Sequence, residues 1–201
     1  MARAAARPEV EITSRDELRQ WLAENNGSAS GAWIITFKKP DPRHLSYDTL
    51  VDEALCFGWI DSLPRALDAQ RSMRLLTPRK PKSAWSGVNK ARIERLIADN
   101  KMAPPGLKAV AAAKASGQWN KLDAVEALVI PEDLASALAA VPVARQHFEA
   151  FPRSVKRAIL EWISLAKKAD TRAARIAETV DKARNNLRAN QWRQVSQPQQ
   201  D

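Results

Sequence analysis

Phe57-Gly58-Trp59-Ile60-Asp61-Ser62-Leu63 and Ser72-Met73-Arg74-Leu75-Leu76-Thr77 both read as strands, joined by a short connection around Pro64 to Ala69. Together they make an antiparallel hairpin. Upstream, Trp33, Ile35 and Phe37 alternate with Ile34 and Thr36 between Ala32 and Lys38, a third strand with one strongly buried face. Pro40 and Pro42 end it. Before it, Ser14 and Glu17 form a capping box for a helix carrying Leu18, Trp21 and Leu22. After it, Ser46 caps a second helix through Val51, Ala54, Leu55 and Cys56. Ser86 caps a third, and Pro104-Pro105-Gly106 opens a fourth.

From Pro131 no strand pattern remains. Val155, Ile159, Trp162, Ile163 and Ala166 follow a helical period, and Ala173, Ile176, Val180 and Leu187 form another stripe behind Asp170, read as a cap. The fold class predicted is α+β: a small antiparallel sheet flanked by helices, followed by an all-α C-terminal domain. The corresponding divisions are a disordered start at 1–10, an α+β domain at 11–120, a linker at 121–130, a helical domain at 131–190 and a disordered Gln-rich tail at 191–201.

The chain has 201 residues, 45% of them hydrophobic and 27% charged, which is globular composition. Its formal net charge is +9. The charge is uneven: nine basic residues face two acidic ones between Arg65 and Arg95. Partners selected by electrostatics are therefore anionic. The single cysteine excludes an internal disulfide framework, and with two histidines it leaves no zinc ligand set. No apolar window approaches a membrane span and no leader is visible, so the expectation is a cytoplasmic protein without a membrane span.

Known catalytic patterns are missing. No Gly-x-Gly, Gly-Lys-Ser/Thr or Gly-x-Ser-x-Gly arrangement occurs, so the sequence implies no cofactor. Cys56 lies between Leu55 and Phe57 and reads as a buried, quiet thiol. His44 and His147 have no carboxylate at fixed spacing to orient them.

Two stretches carry candidate chemistry. In the hairpin, Trp59 and Asp61 fall on one face, where Arg71 or Arg74 can meet them. Either this is a core Trp beside a structural ion pair, or it is a ligand pocket with Asp61 orienting and the arginines holding an anion. Downstream, Thr77-Pro78-Arg79-Lys80-Pro81-Lys82-Ser83-Ala84-Trp85-Ser86 cannot be regular structure. Arg79, Lys80 and Lys82 suit phosphate contacts and Trp85 a stacked ring, unless the loop is simply solvated and Trp85 is in the core. The candidate ligand-binding residues are thus Trp59, Asp61, Arg71, Arg74, Arg79, Lys80, Lys82 and Trp85. Nucleic-acid binding through them is expected to be weak and sequence-indifferent, because Asn/Gln base readers are absent nearby. The basic helix pair near Lys167 to Asp170 likewise offers mainly Arg and Ala, and reads as a solvated face rather than a DNA reader.

Glu53-Ala54-Leu55-Cys56-Phe57-Gly58-Trp59-Ile60-Asp61-Ser62 and the Thr77–Ser86 run resemble the YdeI/OmpD-associated family. Lys156-Arg157-Ala158-Ile159-Leu160-Glu161-Trp162-Ile163, with Ala166-Lys167-Lys168 and Thr171-Arg172-Ala173-Ala174-Arg175-Ile176, is similar to its bacteriocin-protection domain. The resemblance runs from Glu11 to Arg184. It implies protection against bacteriocins and cationic antimicrobial peptides, a periplasmic location and porin association, with no catalytic residues or cofactor. The missing leader and the basic charge, which repels cationic peptides, stand against parts of that expectation. Three functions follow. The first is a non-catalytic resistance protein whose N-terminal domain binds an anionic ligand. The second is an enzyme on a phosphorylated or carboxylated small molecule with Asp61 as acid/base. The third is a helical module that docks a protein partner.

Overall fold

The computed structural model describes residues 7–27 and 30–190. The chain divides into two compact units, 1–121 and 122–201.

Unit one holds the sheet. Its strands are β1 (Glu9–Glu11), β2 (Ala32–Phe37), β3 (Trp59–Ala66) and β4 (Arg71–Pro78), in the order β1-β2-β4-β3. The hairpin β3–β4 is antiparallel, and β2 pairs antiparallel to β4. Asp68 closes the hairpin by accepting the backbone N–H groups of Gln70 and Arg71 at 2.8 and 2.6 Å. The sheet is mixed, not purely antiparallel, because β1 joins β2 in parallel. That strand corrects the expectation of a disordered start for residues 9 and 10: Trp33 N–H donates to the carbonyl of Pro8, and Ile12 N–H to that of Ile35. The rest of the predicted start, at 1–6, and the tail at 191–201 lie outside the described residues.

Helices α1 (Arg15–Asn25) and α2 (Tyr47–Cys56) start where Ser14 and Ser46 accept the N–H groups of Glu17 and Thr49. Glu17 completes the box by accepting from Thr13 at 2.7 Å. Leu18, Leu22, Leu50, Val51, Ala54 and Leu55 cover Ala32, Ile34 and Leu76 on one sheet face. Gly58 reverses the chain into β3 at φ +75°, a conformation that glycine adopts without a Cβ clash. Helices α3 (Gly87–Ala98) and α4 (Pro104–Ala115) close the core. A Cβ on Gly106 would lie 2.1 Å from the carbonyl oxygen of Cys56, so this glycine sets how closely α4 approaches α2.

Unit two is helical: α5 (Asp123–Glu126), α6 (Glu132–Ala139), α7 (Pro142–Ala150), α8 (Arg153–Ser164) and α9 (Ala169–Arg184). Leu134, Leu138, Phe148, Ile159 and Ile163 are buried, and α9 packs on α6, α7 and α8. The segment read as linker carries α5, with Leu122 and Val125 buried. Asp170, read as a cap, sits in the first turn of α9, whose cap position is Lys168. Arg172 and Arg175 serve the domain itself. Arg172 pairs with Asp133 at 2.6 Å, and Arg175 donates to the Trp162 carbonyl and lies over its ring. Among the described residues no helix is long and apolar enough to cross a membrane.

Candidate functional site: a cationic groove on the sheet

Helix α2 and the sheet part company at the N-terminal end of the helix. There a groove of about 580 Å³ opens between the three strands β2, β4 and β3 and the loop that precedes α2. The register explains the space. Thr36 pairs with Ser72 and Ser72 with Ala66, so one row across the sheet is made of small side chains. The neighbouring row, Ile34–Arg74–Pro64, carries the long guanidinium. Alternation places Thr36, Ser72 and Arg74 on the same face.

Arg74 is held on two sides. It donates to Oδ2 of Asp61 at 3.1 Å and lies 4.5 Å over the Tyr47 ring. The Tyr47 hydroxyl donates to the same carboxylate oxygen at 3.1 Å. Burial first, and then the Asp61 charge, push the Tyr47 hydroxyl above its ordinary range, so it remains a protonated donor. Lys38 and Lys39 line the groove from the end of β2. The ammonium of Lys38 reaches the carbonyl of Asp68 at 2.8 Å, and Lys39 is exposed. His44 contributes its ring, with Nδ1 2.7 Å from the carbonyl oxygen of Phe37. A carbonyl only accepts, so Nδ1 carries the hydrogen and neutral His44 has its lone pair on Nε2. Arg65 also borders the groove, but its guanidinium lies 4.5 Å over Trp33, whose side chain is on the opposite face. None of the lining side chains is a carboxylate.

The candidate residues read from the sequence separate in space. Asp61 and Arg74 come together as an ion pair. Asp61 is 14% exposed, and its carboxylate accepts from Tyr47 and Arg74 rather than facing open space. Arg71 points away from Arg74 and pairs with Glu11 at 2.6 Å and Asp68 at 2.8 Å. Trp59 is buried edge-on against Trp21, with centroids 5.8 Å apart. Trp85 is also buried, packed on Trp119, and the guanidinium of Arg79 lies 3.8 Å over its ring. Trp85 is therefore a core residue with no ring face offered for stacking a base. Arg79 turns inward from the basic loop. It donates to the Ala84 carbonyl at 2.7 Å, its buried Nε has no acceptor, and burial lowers its pKa to about 10. Lys80 and Lys82 stay exposed.

Lys38, Lys39, His44, Tyr47, Thr36 and Ser72 were not among the residues singled out for binding. The Lys38-Lys39 pair directly after a strand was the legible signal.

On its other sides α2 carries carboxylates that are fully used. Glu53, with 0% exposure, takes Arg15 at 2.5 Å and Arg19 at 2.8 Å. Asp52 takes Arg92 at 2.8 Å and Arg95 at 2.5 Å, and Arg92 also pairs with Asp48. Cys56 is buried beside this network, and burial, followed by the Glu53 charge, raises its thiol pKa. A thiol so placed is kept protonated and unreactive. Among the described residues no group of three His, Cys, Asp or Glu side chains converges to hold a metal.

Residues 10–109 match a domain of unknown function (DUF8412). Residues 127–186 match the family described as "Bacteriocin-protection, YdeI or OmpD-Associated". No curated protein and no solved structure matches the chain. The resemblance that ran from Glu11 to Arg184 thus divides: its hairpin and loop motifs fall in the first match and its helical motif in the second. The similarity to the YdeI/OmpD-associated family is therefore confined to residues 127–186, and residues 10–109 are similar to a separate family of unknown function.

Proposed function

We propose that the N-terminal unit binds a small anionic molecule, a phosphate or carboxylate, in the groove beside α2. On this reading the chain is a non-catalytic resistance protein of the kind its second domain's family description suggests. One observation carries the proposal: Lys38, Lys39 and Arg74 line a cavity that no carboxylate lines, with the His44 ring beside them. Cations converging on a concave, partly desolvated surface focus a positive potential there and attract anions. Arg74 is oriented by Asp61 and Tyr47, which lowers the entropy lost when a ligand engages its remaining N–H groups. Thr36 and Ser72 add hydroxyls to the floor.

Thermal shift of the full chain against a panel of phosphorylated and carboxylated metabolites tests this. A ligand present at about ten times its Kd adds about 1.4 kcal/mol to the native state. For a chain of this size that raises Tm by about 3–6 °C. Lys39→Ala with Arg74→Ala should abolish the shift. A panel that leaves wild-type Tm unmoved, or shifts that survive both substitutions, would remove the proposal.

A further inference from the structure

We infer that the anion the groove accepts is carried on a flat ring: an aryl phosphate or aryl carboxylate rather than a free or aliphatic anion. This rests on the anion reading above and narrows its ligand class. The shape of the floor favours a ring. Strands lie about 4.8 Å apart, so the row Thr36–Ser72–Ala66 spans about 10 Å across three strands with no large side chain rising from it. That is the footprint of a flat ring system, not of a phosphate alone. Ala66 is exposed, and Thr36 and Ser72 are half-buried, so the floor is reachable from solvent.

Charge and apolar surface are also set apart. Arg74 stands in the next row, beside Pro64, and Lys38 and Lys39 stand at the β2 end. Leu45 and Leu50 close the side of the groove toward the core. A ring lying on the small-residue row would bury its face against Ser72 and Ala66 and place its anionic substituent within reach of the cations. Tyr47, 51% exposed, has Arg74 stacked on it and stands beside this floor as an aromatic wall. Aromatic rings gain from such edge or offset contacts beyond their area burial.

Calorimetric titration of the full chain with matched pairs of probes, phenyl phosphate against inorganic phosphate and benzoate against acetate, tests the inference. The aryl member of each pair should bind about tenfold tighter or more, since burying a ring face against the floor adds apolar area that the bare anion lacks. Ala66→Leu, at an exposed position on the edge strand, should fill the floor and bring the affinities within each pair together. Ser72→Leu fills the floor from the central strand and is read only on the ratio of aryl to bare-anion affinity, because it also removes a floor hydroxyl; its Tm reports whether the fold survives. Equal affinities within each pair would overturn the ring assignment and leave the anion reading standing. Aryl probes whose advantage persists in Ala66→Leu and Ser72→Leu lie elsewhere, which also overturns it. If neither member of any pair binds, the anion reading fails and the ring assignment falls with it.

Discussion

Two sets of cations flank α2 and are used in opposite ways. Toward α1 and α3, Arg15, Arg19, Arg92 and Arg95 each meet a carboxylate on α2. Toward the sheet groove, Lys38 and Lys39 line a cavity without a carboxylate, and Arg74 has one, Asp61, behind it. In the first set every guanidinium has a carboxylate partner, and the set serves the fold. The second leaves positive charge facing open space, which folding alone does not require. A strongly basic stretch of sequence thus says little about binding until each cation's partner is known.

Glu53→Ala breaks the first set and should have the largest effect. It strands Arg15 and Arg19 beside an emptied buried site. The loss should be about 3 kcal/mol in chemical denaturation, at the low end for broken buried pairs because both arginines also reach solvent. A loss under about 0.5 kcal/mol, the scale of a surface pair, would mean that the network is not structural.

Arg79→Lys probes a cation that belongs to neither set. It should cost about 1–2 kcal/mol, because lysine cannot reproduce the stacked, forked contact with Trp85 and the Ala84 carbonyl. A neutral outcome would return Arg79 to the solvated loop.

Lys80→Ala/Lys82→Ala sharpens the contrast on the outside of the molecule. If the chain binds single-stranded oligonucleotide, these two exposed lysines should account for a fall of about 1.4 in the log–log salt slope, near 0.7 per contact. Adding an Arg79 substitution should change the slope no further. A further drop on removing Arg79 would show that it faces the ligand.

Asp133 gives the smallest effect. Arg172 holds its carboxyl below the usual carboxylate range. The folded pKa is depressed, so the contribution is present above the ordinary Asp value of about 3.9 and is lost as pH falls through the lower folded value. Arg172→Ala should cost about 0.2–1 kcal/mol at neutral pH, the range for exposed pairs, and nothing at the acid end. A cost that persists unchanged at low pH would assign Arg172 a packing role instead.

The hairpin, β2 and the capped helices were legible because period-two alternation and Ser caps are local signals. Strand β1 was not: Glu9-Val10-Glu11 has one apolar residue, and its extended form comes from pairing with β2. The split between Arg71 and Arg74 was legible in principle, since counting in twos along β4 puts them on opposite faces. The groove was not legible. Its floor exists because the register sets Thr36, Ser72 and Ala66 side by side, and three small residues on three different strands leave no periodic trace. Trp85 beside a run of cations looked like a stacking platform. Trp119, far along the chain, is what makes it part of the core.

The most direct test of the groove as an anion site is a residue-resolved amide NMR titration of the full chain with inorganic phosphate. Shifts should concentrate at Thr36 to Lys39, His44, Ser72 and Arg74, saturate together and be absent in Lys39→Ala/Arg74→Ala. Shifts confined to Lys80 and Lys82, or no saturable shifts at all, would contradict the anion site.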